Sequence, residues 1–279
     1  LEIVNRTGWR DLGLVPWFPA AARLPAEDAV DLQWTRPGNA GGIVIAAPML
    51  SRIANFDDAD PLRAEPNVDF RFIAPGQPLP RDADVILLLG TKSTRADLTF
   101  LRAQGWDIDI LAHARAGGRV LGLCGGYQML GRTISDPDGV DGDAGSSTGL
   151  GLLNIHTRMM PIKSAGQADG IDVASGEHVS GYEIHVGDST GADCARPMLK
   201  LKHRVDGAVS PNGRVAGCYL HGLFSSDGFR RAWLESVQAG AASGMTFEAE
   251  VESPIDALAD HLEASLDVDG LLGIARRVR

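Results

Sequence analysis

The stretch that most constrains this chain is Arg119-Val120-Leu121-Gly122-Leu123-Cys124-Gly125-Gly126-Tyr127-Gln128-Met129-Leu130-Gly131. Its short apolar run reads as a buried parallel strand. A single cysteine ends the run, two glycines follow, and Tyr-Gln-Met-Leu is compatible with a helix. A strand that turns sharply into a helix through a cysteine with small neighbours is a nucleophile elbow, the thiol counterpart of the serine version. The glycines permit the strained turn and let a substrate approach the main chain. The helix directs its first N–H groups and positive dipole end at the thiol, which favours thiolate. A free cysteine is more often a buried, inert residue. The flanking pattern is what marks Cys124 as a nucleophile.

A chain of 279 residues can hold one large or two small domains with a substantial core. Hydrophobic residues make up 44% and charged residues 22%, in the range of soluble globular proteins. A formal net charge of -10 argues against non-specific nucleic-acid binding. No apolar run approaches a membrane span, and no signal-peptide pattern opens the sequence. The three cysteines, Cys124, Cys194 and Cys218, form no C-x-x-C pair. They argue against a disulfide framework or zinc knuckle and fit a reducing cytoplasm, with no metal site expected.

Residues 1–40 are loop-rich, with Trp9, Leu14-Val15-Pro16-Trp17, Leu24-Pro25-Ala26-Glu27-Asp28 and Arg36-Pro37-Gly38-Asn39. They read as the tail of an upstream domain followed by a linker. From residue 41 the pattern changes. Strands are expected at Ile43–Ala47, Phe70–Ile73, Asp84–Leu89 and Arg119–Leu123, with a helix over 95–115 stopped by Gly117-Gly118. Apolar strands alternating with helices imply an α/β fold with a mostly parallel sheet covered on both faces. Chemistry then belongs beyond the carboxyl ends of the strands, where Gly90 and Cys124 fall. The Asp/Gly/Ser-rich stretch 135–149 lacks the closing glutamate of a calcium loop and reads as a flexible surface loop. Exposed strands are expected near 155–159 and 179–185, and a strand over 214–220 delivers His221-Gly222. Helices are expected over 227–238 and 254–266, the second in a C-terminal helical extension, 244–279, beyond a main domain at 41–243. No P-loop and no G-x-G-x-x-G occurs.

A thiol nucleophile needs a base and an oxyanion site. His221 is the best-placed base, since it ends a strand before a permissive glycine. His185, in Gly181-Tyr182-Glu183-Ile184-His185-Val186-Gly187, is the rival. The N–H of Gly125 forms one half of an oxyanion hole, and a backbone N–H near Gly90-Thr91 the other. Gln128, one helical turn beyond Cys124, faces the same cleft. Such a site suits hydrolysis of an amide or ester through a thioester.

Taken together these pieces resemble the triad-class (class I) glutamine amidotransferases, and within them the cobyric acid synthase family. The elbow carries the resemblance, with Gly90-Thr91-Lys92-Ser93-Thr94…Asp97-Leu98, Gly181–Gly187 and Tyr219-Leu220-His221-Gly222-Leu223-Phe224. Ser51–Asp58 resembles the segment that opens the family's amidotransferase domain, and Leu24–Asp28 the end of its synthetase domain. The resemblance implies a flavodoxin-like three-layer sandwich. It implies glutamine hydrolysis at Cys124 with His221 as base, and Gln128, Tyr182 and His185 contacting glutamine. It implies a preceding synthetase domain that uses ATP and Mg²⁺ to amidate carboxylates b, d, e and g of adenosylcobyrinic acid a,c-diamide for cobalamin; this chain itself is expected to bind no cofactor. Many triad-class enzymes carry a glutamate two residues after the histidine. That position is Leu223 here, so the third member is unassigned and Glu183 is the weak candidate. The alternatives are the glutaminase partner of a cell-wall amidating ligase, a cysteine hydrolase of the same fold, and a non-catalytic binding domain.

Overall fold

A computed structural model of the chain describes residues 2–23 and 42–277. The expectations for Leu24–Asp28 and Arg36–Asn39 lie outside the described residues. The described residues form two compact units, 2–23 together with 246–277, and 42–245. Helix α1 (Glu2–Thr7) opens the smaller unit, whose other helices come at the far end of the chain.

In the larger unit, β1 (Ile43–Pro48), β2 (Val68–Ile73), β3 (Val85–Leu88) and β4 (Arg119–Leu123) are parallel strands of one sheet. A second sheet holds β5 (Thr133–Asp136), β6 (Gly145–Thr148), β7 (His156–Asp172), β8 (His178–Thr190), β9 (Leu199–Leu201) and β10 (Val205–Asp206). The chain then returns to the first sheet with β11 (Ala208–Val209) and β12 (Val215–Cys218). The first sheet runs β11-β12-β4-β3-β1-β2, with β11 alone antiparallel. Without β11 this is the flavodoxin-like order, whose reversal between β1 and β3 opens a crevice at the strands' carboxyl ends. All of β3 and nearly all of β1 are buried, which is why they read as unbroken apolar runs. Edge strand β2 alternates buried and half-buried instead. Each fully enclosed side chain such as Ile45 or Leu87 contributes about 1.5–3 kcal/mol of burial free energy.

Short helix α2 (Asp60–Ala64) follows β1. The helix expected over 95–115 is two helices, α3 (Thr94–Ala103) and α4 (Trp106–Arg115). Gly105, at φ +76, breaks the run and turns Trp106 wholly into the core, where its Nε1–H donates to Gln77 O at 2.7 Å. After α5 (Gly125–Leu130), the stretch expected to be a flexible loop is an ordered β5–β6 hairpin. Its tip holds Asp141, which accepts from the N–H groups of Thr94 (3.1 Å) and Arg95 (3.0 Å). Ser93, in the N-cap position of α3, makes no side-chain cap and donates its hydroxyl to Asp141 O. The loop's acidic composition is therefore a helix cap supplied from elsewhere in the chain. Asp141→Ala leaves two helix N–H groups unsatisfied and is expected to lower stability by about 1 kcal/mol, read as an earlier denaturant midpoint with an unchanged slope.

Helix α6 (Asp227–Val237) closes the larger unit. In the smaller unit, α7 (Phe247–Ser265) begins before the expected start at Pro254, which sits inside it, and α8 (Val268–Ala275) follows. Acidic Glu248 and Glu250 in the first turn suit the helix dipole and carry the start upstream. Here the N-terminal segment meets the last helices. Asp267 N–H donates to Leu12 O at 2.8 Å, and Phe18 stacks on His261 at 4.9 Å.

Candidate active site

Strand β4 delivers Cys124 to the sheet's carboxyl edge. Cys124 has φ 51 and ψ -110; it and Asn55 are the only described non-glycine residues with positive φ. Such a conformation costs on the order of 1–3 kcal/mol and persists only where surroundings impose it. Here Cys124 N–H donates to Cys218 O (2.9 Å), and Cys124 O accepts from Gln128 N–H (3.1 Å). The glycines make the turn possible by contact distance. A Cβ on Gly122 would stand 2.6 Å from Gly126 C, and one on Gly126 2.0 Å from Leu88 O. The elbow expected from the sequence is present. Burial pushes Cys218 well above the ordinary thiol range and raises Cys194 as well.

His221, wholly buried, follows β12. Its Nδ1 lies 2.7 Å from Asp58 Oδ2, and Asp58 Oδ1 accepts from Gly222 N–H at 2.7 Å. Asp58 rides on a 3-10 turn, Phe56–Ala59, whose entry residue Asn55 is left-handed. The structure thus puts Asp58, and not Glu183, beside the histidine; Glu183 is ion-paired with Arg204. Burial is the largest influence on His221 and pulls its pKa down. The hydrogen bond to Asp58, the nearby Cys124 sulfur and the charges of both more than offset this and carry it up to about 10. Nε2, the nitrogen left for Cys124, has no partner that meets hydrogen-bond geometry, although the sulfur is near enough to favour the protonated ring. A loose nucleophile–base contact is usual before substrate binds. The charge of this imidazole also acts on Asp57 and His185.

A Cβ on Gly90 would stand 3.3 Å from His221 Cε1 and 3.8 Å from Cys124 Cβ, so Gly90 borders both side chains. A Cβ on Gly125 would meet Thr91 Cγ2 at 2.6 Å and Thr91 N at 3.2 Å. The two backbone segments expected to form an oxyanion site are therefore adjacent. Buried Asp97 fixes this loop by accepting from the Thr91 and Ser51 hydroxyls and the Arg52 N–H. Gln128 is buried, with Oε1 accepting from Thr94 Oγ1 (2.8 Å) and Nε2 donating to Tyr219 Oη (3.3 Å). Tyr182 stacks on His221 at 5.2 Å, exchanges both backbone hydrogen bonds with it, and accepts from Asn55 at its hydroxyl. His185 stacks on Tyr219 at 3.8 Å, and its Nδ1–H donates to Gly187 O; burial pulls its pKa down. It lines a cavity of about 520 Å³ with Glu183, Asp206 and Tyr219, of which Cys124 and His221 are not lining residues.

Asp58 is the site residue that sequence reasoning missed. It lies inside the Ser51–Asp58 segment that carried the resemblance, but Asp57-Asp58 in a loop reads as solvated charge. What could have singled it out is its place just past the carboxyl end of β1, at the reversal in strand order.

Residues 44–229 match the family described as the CobB/CobQ-like glutamine amidotransferase domain. The chain is 62% identical over 274 residues to a cobyric acid synthase of Hyphomonas neptunium, covering 98% of this chain and 55% of that protein. It is 63% identical to a cobyric acid synthase of Paracoccus denitrificans, covering 98% and 56%. The chain spans about half the length of the curated relatives it matches. Among solved structures it is similar to a glutamine amidotransferase (TM-score 0.52, 12% identity, 70% of this chain and 98% of that one). It is also similar to PurLQS from Thermotoga maritima (TM-score 0.50, 14% identity, 78% and 99%). At these identities the structural likeness is one of fold, and it agrees with the α/β class expected from the sequence.

Proposed function

Since the chain belongs to the CobB/CobQ-like glutamine amidotransferase family, we propose that its larger unit hydrolyses glutamine through a thioester on Cys124. The observation that carries this reading is the alignment of three groups: a strained elbow thiol, an imidazole beside it, and Asp58 on the far ring nitrogen. Asp58 accepts from Nδ1–H and stabilises the imidazolium, so Nε2–H faces the sulfur. The Cys124 thiolate adds to the side-chain amide carbon of glutamine. The developing oxyanion is met by the Gly125 N–H and an N–H of the Gly90-Thr91 turn. His221 gives its Nε2 proton to the leaving nitrogen, ammonia departs, and a glutamyl thioester remains. Water then adds with His221 as base, releasing glutamate and the thiolate. Tyr182 holds His221 by stacking. Gln128 and His185, against Tyr219, shape the side of the site where glutamine's backbone groups rest.

The relatives are named cobyric acid synthase, and the sequence resemblance extends the reading to amidation of carboxylates b, d, e and g of adenosylcobyrinic acid a,c-diamide in cobalamin biosynthesis, with residues 1–40 as the end of a synthetase domain. ATP and Mg²⁺ would be held by that domain. Among the described residues no group of three or more His, Cys, Asp or Glu side chains is placed to hold a metal ion. Among the described residues no helix is long and apolar enough to cross a membrane, and three free cysteines suit a reducing cytoplasm.

The test is glutaminase activity and intact-mass detection of a glutamyl adduct on the chain and on Cys124→Ala. Ammonia release and an adduct, both absent in the variant, are expected. Hydrolysis of unrelated amides or esters with no response to glutamine would replace this reading with a general cysteine hydrolase. A thiol inert to every substrate, even with a synthetase domain and ATP supplied, would leave a binding domain.

A further inference from the structure

Among the described residues Arg230 is the only lysine or arginine that is buried, and none of its surface is exposed. Its partner Glu65 is equally enclosed, with Nε to Oε1 at 2.7 Å and neither side chain exposed. Two desolvated charges rarely stabilise a fold more than apolar residues of the same volume would, so a pair like this is informative through what it joins. Glu65 closes α2, directly after the 3-10 turn that carries Asp58. Arg230 Nη1 donates to Phe224 O at 2.8 Å, in the turn directly after His221-Gly222. One guanidinium therefore ties the segment behind Asp58 to the segment behind His221. A third segment enters at the end of the larger unit. Ser243 Oγ donates to Glu65 Oε2 (2.6 Å), and Arg230 Nη2 donates to Met245 O (3.1 Å). Asp227, at the start of α6, holds the same Nη2 at 2.8 Å.

We propose that Arg230 and Glu65 are positioning residues for the His221–Asp58 pair, and that the 243–245 segment bonded to both helps to hold them in place. The inference rests on the proposed thiol–imidazole chemistry and adds how its geometry is held. The planar fork of an arginine suits this role because it fixes several acceptors in one plane at set distances. A lysine or an apolar pair would fill the space without fixing the angles. The 2.7 Å contact between His221 and Asp58 depends on two loops keeping their separation, and small misplacements there lower turnover sharply.

The test compares Arg230→Met/Glu65→Leu, Glu65→Gln and Ser243→Ala with the parent chain, using Asp58→Asn as reference. Each is read by thermal unfolding, by glutaminase kcat and KM, and by the pH dependence of Cys124 alkylation with iodoacetamide. The double apolar variant is expected to melt at or above the parent, to lose kcat roughly tenfold with KM within about twofold, and to reach half-maximal alkylation about one pH unit higher. Glu65→Gln and Ser243→Ala should fall between the two, in the same direction. A folded double variant with the parent's kcat and alkylation profile overturns the proposal. Should that variant not fold, an unchanged profile in Glu65→Gln overturns it equally. The reference separates the two layers of argument. If Asp58→Asn also leaves alkylation unchanged, the thiol–imidazole reading falls. If Asp58→Asn shifts it and the Arg230 and Glu65 variants do not, the positioning role alone falls.

Discussion

Asp58→Asn is expected to lower kcat for glutamine hydrolysis about 10²–10⁴-fold while the chain stays folded. Asparagine fits the same space, and its carbonyl can still accept the Gly222 N–H that Asp58 Oδ1 accepts now. Its amide NH₂ then faces His221 Nδ1, a donor where an acceptor stood. The ring responds by losing the Nδ1 proton and keeping the one on Nε2, so the nitrogen that faces the sulfur has no lone pair with which to take the thiol's proton, and no carboxylate supports an imidazolium. The pH profile should report the same change. His221 sits at about 10 against an ordinary 6.5, and removing the carboxylate lets burial draw it down. Because the folded value is the higher one, this pair stabilises the fold fully below about pH 6.5, and that contribution is lost as pH rises through about 10. Asp58→Asn should therefore flatten the stability difference between neutral and alkaline pH as well as slow turnover. Turnover within about threefold of the parent would remove Asp58 from the mechanism.

What the sequence reveals and hides at this site follows from distance along the chain. The elbow is legible because every constraint on it is local. The strand, the glycines and the helix are consecutive, and Gly122, Cys124 and Gly126 meet within one turn. His221 is legible because it closely follows a strand that pairs with β4 in register, Cys218 opposite Leu123. Asp58 is 163 residues from His221, and only the parallel order that brings β1 and β12 to one edge makes them neighbours. Local pattern also fails where a tertiary contact takes over. Asp141 reads as loop composition until α3 is folded beneath it, and Gly105 reads as tolerable within a helix until Trp106 needs the core. The buried Arg230 is the clearest case, since α6 alone offers no reason for an arginine at a core-facing position.

Gly126→Ala is expected to have the largest effect on stability of any single-methyl change in the elbow. A Cβ there would stand 2.0 Å from Leu88 O, 2.5 Å from Leu88 C and 2.8 Å from Leu88 Cβ. Leu88 belongs to β3, paired on one side with β4 and fully buried, so the obstacle is sheet backbone and cannot rotate away. Either α5 lifts from the sheet or the β3–β4 register distorts, and both expose apolar surface. A loss of about 3 kcal/mol or more follows from overpacking against backbone. Gly166→Ala in β7 is the control, because a Cβ there meets nothing within 4 Å and the backbone is not left-handed. It should stay within about 0.5 kcal/mol of the parent. Urea unfolding of the two variants decides the matter. A Gly126→Ala chain as stable as Gly166→Ala would mean that the helix can leave the sheet at little cost. The strained φ of Cys124 would then have no packing to impose it, since the approach of α5 to β3 is what holds the thiol at the turn.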